Sequence, residues 1–188
     1  MPAPMDLPET GTWTIDSTHS FVAFSVEHYT VAFARGIAAG PAGTITIDPD
    51  LTQSSVEAAI DATTVTTASA ARDEKILGPD VLDVERFPTI DFHSHSLRPN
   101  GEHRYVLEGH LTLHGVTQPV ELDLSFNGIV EDGWGKTRLG LSASTILVRE
   151  QFGSGDWAHR ALPTGGFMVP HEVKIELEIE ATKDVPEE

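Results

Sequence analysis

Glu172-Val173-Lys174-Ile175-Glu176-Leu177-Glu178-Ile179-Glu180 sets four aliphatic side chains in strict alternation with five charged ones. A period of two sends successive side chains to opposite faces of an extended chain. One apolar and one charged face is the mark of an antiparallel sheet with its inner side on a core. The same period runs through Val120, Leu122, Leu124 and Phe126 against Glu121, Asp123, Ser125 and Asn127. Leu107, Gly109, Leu111 and Leu113 share a face opposite Glu108, His110 and Thr112. Val22, Phe24 and Val26 oppose Ser25 and Glu27, Val56, Ala58, Ile60 and Ala62 oppose Glu57 and Asp61, and Ile90 and Phe92 oppose Asp91 and His93.

Further strands are expected around 30–48, interrupted by Gly36, Gly40, Pro41 and Gly43, and around 136–148, which carries Leu141 and Ala143 inward. About eight long strands in one domain must curl, and closure removes their edges. The expected fold is all-β, an eight-stranded antiparallel up-and-down barrel. A single helix is expected from Ala68 to Leu77, with Ser69 as N-cap and Gly78 at the C′ position, inserted between the third and fourth strands. Residues 1–11, with three prolines, read as a disordered lead-in. Residues 12–182 form the single domain, and 183–188 an acidic tail.

The 188-residue chain has 12 Lys and Arg against 29 Asp and Glu, a net charge of −17. Such a surface repels nucleic acid and anionic leaflets, so neither nucleic-acid binding nor stable membrane insertion is expected. With no cysteine, disulfides, thiolate metal sites and Cys nucleophiles are excluded. The N-terminal residues lack a basic and an apolar signal region, which predicts a cytoplasmic protein unless the chain is a trimmed mature form. A homodimer is left open.

No nucleophile elbow, P-loop or dinucleotide fingerprint occurs, so neither a catalytic site nor a cofactor is called for. Asp91, His93 and His95 share a strand face, but the inward phase of Ile90 and Phe92 turns that face to solvent, so no metal site is expected there. His114 beside Gly115 is expected to bond backbone. His28 continues the inward phase to a barrel end, as a ligand-facing group or a histidine satisfied by backbone, with His19 near it if the strand bends. Arg72 and Lys75, one turn apart on the helix, either meet an anionic head group or pair with Asp73 and Glu74. The small inward residues Ala58, Ala62, Gly109 and Ala143 either leave space for a cavity or sit where a neighbouring element comes close.

Trp13-Thr14-Ile15-Asp16-Ser17-Thr18-His19-Ser20, Phe24 to His28, Arg72-Asp73, Asp83 to Phe92, Gly109 to Val120, Asp132 to Arg138, Arg149 to Gly153, and Gly165 to Val173 follow one another in a characteristic order. Together these segments resemble the YceI-like family of lipid- or polyisoprenoid-binding proteins. The chain departs from the family at Val81 and Leu82, where aromatics are usual. The resemblance implies a lipocalin-like barrel holding a long apolar chain (polyisoprenoid, isoprenoid quinone or fatty-acyl lipid) without catalysis. Its lining would be drawn from Val22, Phe24, Val26, His28, Ile60, Phe92, Leu107, Leu111, Leu122, Leu124, Phe126, Leu141, Ile175 and Leu177, with His19, Arg72 and Lys75 toward a head group. Two other readings remain: a hydrolase or isomerase using His19 or His28 as base, and a histidine-based metal-binding protein.

Overall fold

The computed structural model describes residues 9–183. The rest of the expected lead-in and tail, 1–8 and 184–188, lies outside the described residues. Ten strands form one sheet: β1 (Gly11–Ile15), β2 (Phe21–His28), β3 (Ala32–Ala39), β4 (Ala42–Ile47), β5 (Ser55–Asp61), β6 (Thr89–Pro99), β7 (Arg104–Leu113), β8 (Val116–Glu131), β9 (Thr137–Val148) and β10 (Glu172–Lys183). All neighbouring pairs run antiparallel, from β4 through β10 in sequence order, and β1 closes the ring by pairing with both β4 and β10.

Eight positions around the barrel hold these ten strands. β1 and β2 occupy one of them, broken at Asp16–Ser20: β10 meets β2 through Lys174–Glu178 and β1 through Ala181–Lys183. β3 and β4 occupy the next, broken at Gly40-Pro41, with β3 on β2 and β4 on β1. Proline lacks the N–H a ladder requires, which fixes the second break. The sequence places turn residues at both breaks, as expected for a barrel whose long strands must bend.

Past its break, β3 separates from β5 and is held instead by reciprocal Ile37–Thr66 backbone hydrogen bonds of 2.9 Å. That gap is filled by the segment carrying α1 (Ala70–Leu77), the described α-helix. Ser69 does occupy its N-cap, but through its backbone carbonyl; its hydroxyl makes no cap bond. Asp73 ties the helix start down, accepting from Thr67 N (2.8 Å) and from the hydroxyls of Thr66 and Thr67. Gly78 ends the helix in an extended conformation rather than the left-handed one expected, because the next residues turn under the barrel rim. There Leu82 N and Val84 N donate to the carbonyls of Ile76 and Leu77.

The apolar interior is divided into two clusters. At one end Trp13, Ile15, Ile45, Ile47, Phe126, Leu139 and Ala181 pack into a plug that leaves only a small void of about 60 Å³ beside Phe126 and Leu139. At the other, Val22, Ala38, Val65 and Leu82 gather Phe24, Ile60, Ile76, Leu77 and Ile175 around them. Between the two the packing is incomplete.

Candidate functional site

The alternating residues all point inward, yet most are only half-buried: Phe24, Val26, Leu111, Leu122, Leu124, Ile175 and Leu177 fall short of full burial in mid-barrel. Side chains in a filled core of this size would be fully covered. Their remaining surface faces a cavity of about 660 Å³, open at the α1 end of the barrel. That volume lies in the ~300–1,000 Å³ range of small-molecule pockets. The walls are almost wholly aliphatic and aromatic, so the hollow suits an apolar molecule that loses little hydrogen bonding on entry.

Glycine positions shape the wall differently from the simplest expectation. A Cβ at Gly109 would come within 2.6 Å of the Phe92 ring, and one at Gly36 would strike the Phe24 ring and lie 2.7 Å from the Thr66 carbonyl. These two glycines are seats for aromatic rings, and the space they leave is already filled. Ala62 is buried in the turn after β5. Ala58 and Ala143 do line the cavity.

Of the residues singled out from the sequence, Val22, Phe24, Val26, His28, Ile60, Phe92, Leu107, Leu111, Leu122, Leu124, Leu141, Ile175 and Leu177 line this hollow, as do Arg72 and Lys75 at its mouth. Two do not. Phe126 points inward but belongs to the plug, because it lies deeper along β8 than Leu122 and Leu124 and packs against the closed end. His19 stands exposed on the outer wall beside the Asp16–Ser20 break, its Nδ1 2.8 Å from Asp16 Oδ2. The strand does not bend His19 toward His28: all of β2 separates them, roughly 25 Å of extended chain. His28 is exposed at the mouth, its ring edge-on to Tyr29 at 4.6 Å.

Arg149 is a cavity-lining cation whose environment the sequence did not reveal. Its Nη1 donates to Gly155 O (3.0 Å) and its Nη2 to Pro170 O (2.8 Å), while its Nε is buried without a partner. Burial in this apolar wall pushes its pKa down, opposed by the charge of Asp156. It clamps the long 149–171 connection across the mouth. His114 does the same from the β7–β8 turn, its nitrogens each 3.2 Å from a carbonyl, of Phe152 and Pro79. His93 and His95 are exposed on the outer face, and His95 packs its ring 5.1 Å from His110. Among the described residues Asp16, His19 and Glu180 bring three metal-type ligand atoms within 4.8 Å of one another. The Arg138 guanidinium already lies there, 2.9 Å from Asp16 and 3.1 Å from Glu180, with its Nε 2.9 Å from Asp132.

A closed antiparallel barrel, plugged at one end and hollow and apolar toward the other, defines the lipocalin-like class of cup-shaped barrels. Within it, this chain belongs to the YceI-like family, whose domain model matches residues 13–181. It is 33% identical over 141 residues to a UPF0312 protein of Pseudomonas savastanoi pv. phaseolicola, covering 73% of this chain and 72% of that one. A UPF0312 protein of Pseudomonas putida (strain W619) is 35% identical over the same shares. In structure it resembles Burkholderia cenocepacia BcnA, with a TM-score of 0.73 at 22% identity over 89% of this chain and 99% of that chain. It also resembles a domain from Saccharophagus degradans described as polyisoprenoid-binding and implicated in plant cell wall breakdown. There the TM-score is 0.71 at 14% identity, over 94% and 100% of the two chains. At these identities the structural likenesses establish the fold.

Proposed function

We propose that this protein binds one long apolar molecule, an isoprenoid or acyl chain, for storage or transport without chemically changing it. The cavity carries this reading: about 660 Å³ of aliphatic and aromatic wall, reached from one end. Each methylene moved from water into it contributes about 0.8 kcal/mol, which suffices for tight binding of a long chain without specific polar contacts. The tail would lie along Leu111, Leu122, Leu124, Ile175 and Leu177, and the head would stay at the mouth beside Arg72, Lys75 and His28. The charges of Arg72 and Lys75 favour a head group with partial or full negative charge. The polyisoprenoid-binding description of the Saccharophagus degradans domain, on the same fold, supports the same class of ligand.

Protein purified in native buffer should yield a stoichiometric lipid on solvent extraction and mass spectrometry. Ala143→Phe, which projects a ring from a nearly covered position of the wall between Leu124 and Leu177 into the hollow, should cut uptake of an apolar fluorescent probe severalfold while the barrel stays folded, as its far-ultraviolet circular dichroism will show. Undiminished uptake with the ring in place would show that the probe, and any lipid, is held elsewhere.

A further inference from the structure

The barrel mouth is ringed by apolar side chains that leave much of their surface in solvent. Val31 and Phe33, on the β2–β3 hairpin, are 83% and 60% exposed, with Tyr29 beside them. Trp157 and Phe167, on the 149–171 connection, are exposed as well. These residues form one rim: Tyr29 N donates to Met168 O at 2.8 Å, and Phe33 and Trp157 both line the cavity entrance. The hairpin tip holds Tyr29 and Thr30 at φ of 54° and 61°, a left-handed pair that thrusts Val31 outward. A patch of this kind at the entrance to an apolar cavity marks an interaction surface.

Charge identifies what it meets. The three rim segments, 28–36, 66–77 and 153–168, carry Arg35, Arg72, Lys75 and Arg160 against Asp73, Glu74 and Asp156. Asp80, whose carbonyl accepts from Gly155 N of the rim, makes this four cations to four carboxylates, a neutral ring on a chain of net charge −17. Arg35 lies 5.9 Å over the Phe33 ring and Lys75 lies 5.8 Å over Trp157. Aromatic rings at the level of lipid head groups, with cations reaching the phosphates beside them, are how proteins rest on a bilayer interface. We propose that the mouth rim docks on a lipid bilayer, so that the cavity opens toward the membrane and the acidic wall stays in water. The average charge repels an anionic leaflet; at physiological salt only charges within about 8 Å act strongly, so the rim decides.

The docking needs no cavity ligand, so it is tested apart from the binding reading. The protein as purified should co-sediment with vesicles of phosphatidylcholine and phosphatidylglycerol in equal parts. Val31→Glu should weaken that partition at least about tenfold while leaving the melting temperature and vesicle-free uptake of the apolar probe unchanged. Arg35→Glu should weaken it severalfold on mixed vesicles, and less on phosphatidylcholine alone. Val130→Glu, on an exposed residue at the plugged end, should change nothing. No sedimentation, or equal loss from Val31→Glu and Val130→Glu, overturns the proposal. So would concentration-dependent self-association that Val31→Glu abolishes, which would make the rim an interface between two copies. Vesicle binding without probe uptake would leave docking standing and remove the carrier reading.

Discussion

Arg138 gathers Asp16, Asp132 and Glu180 on the outer wall where β1 meets β10, and His19 adds a further bond to Asp16. The His19 and Arg138 hydrogen bonds together pull the Asp16 carboxyl from its ordinary 3.8 to about 2. The folded state therefore prefers the carboxylate more than the unfolded chain does. Its stabilising effect is complete above about pH 4 and is lost as pH falls through about 2. Melting temperatures recorded across that window should drop, and Asp16→Asn should flatten the drop; an identical acid profile for the variant would remove Asp16 from the account. Arg138→Met, which leaves three carboxylates facing one another, should lower the melting temperature at neutral pH. None of this network was legible in the sequence, because its members lie up to 164 positions apart (Asp16 to Glu180) and meet only once the ring is closed. The anchoring of Arg149 was hidden for another reason: the carbonyls of Gly155 and Pro170 reach it only once the 149–171 connection has folded back over the mouth.

The strands were readable where one face is apolar, because the period of two survives any bending. Their breaks were readable as glycine and proline, but not the consequence that β1 and β2 share one barrel position. The extended Gly78 was also hidden, since a glycine after a helix fits several exits and only the packing of Leu82 and Val84 beneath the rim selects one. Helix α1 has eight residues, too short to persist without tertiary support, and rests on Ile76, Leu77 and the Asp73 bonds. Its amides should exchange with solvent faster than those of β7 to β10, and slow when an apolar chain fills the mouth. Strand-like protection indifferent to ligand would make α1 a fixed plug. Gly36 offers a sharper test at the neighbouring strand. Gly36→Ala forces Phe24 off its seat and crowds the backbone of Thr66, so it should cost about 1–3 kcal/mol. Loosening of α1 in hydrogen exchange should accompany that loss, because Thr66 and Asp73 join the two elements.

At the scale of the whole molecule the barrel is two regions in series, a well-packed plug with one small void and a large hollow. The alternation put Phe126 on the inner face with Leu122 and Leu124, correctly, yet depth along the barrel axis leaves no trace in a period of two. Which inward residues pack on one another depends on strand stagger, and so on pairings such as Phe126 with Leu141 and Trp13 with Ile45 that only the closed sheet defines. Stability and uptake should therefore separate along the axis. Phe126→Ala removes a ring from a close-packed cluster that includes the fully buried Trp13 and Leu139, and should cost about 3–5 kcal/mol. At temperatures where the variant stays folded, probe uptake should keep its stoichiometry, since the plug and not the cavity has been thinned. Leu122→Ala, on the cavity wall, should do the reverse: its side chain already faces empty space, so the stability cost should fall well below that of Phe126→Ala while probe affinity weakens. Equal stability losses at the two positions, or uptake lost with Phe126→Ala and kept with Leu122→Ala, would mean that the interior is one continuous core and that the division into plug and cup does not hold.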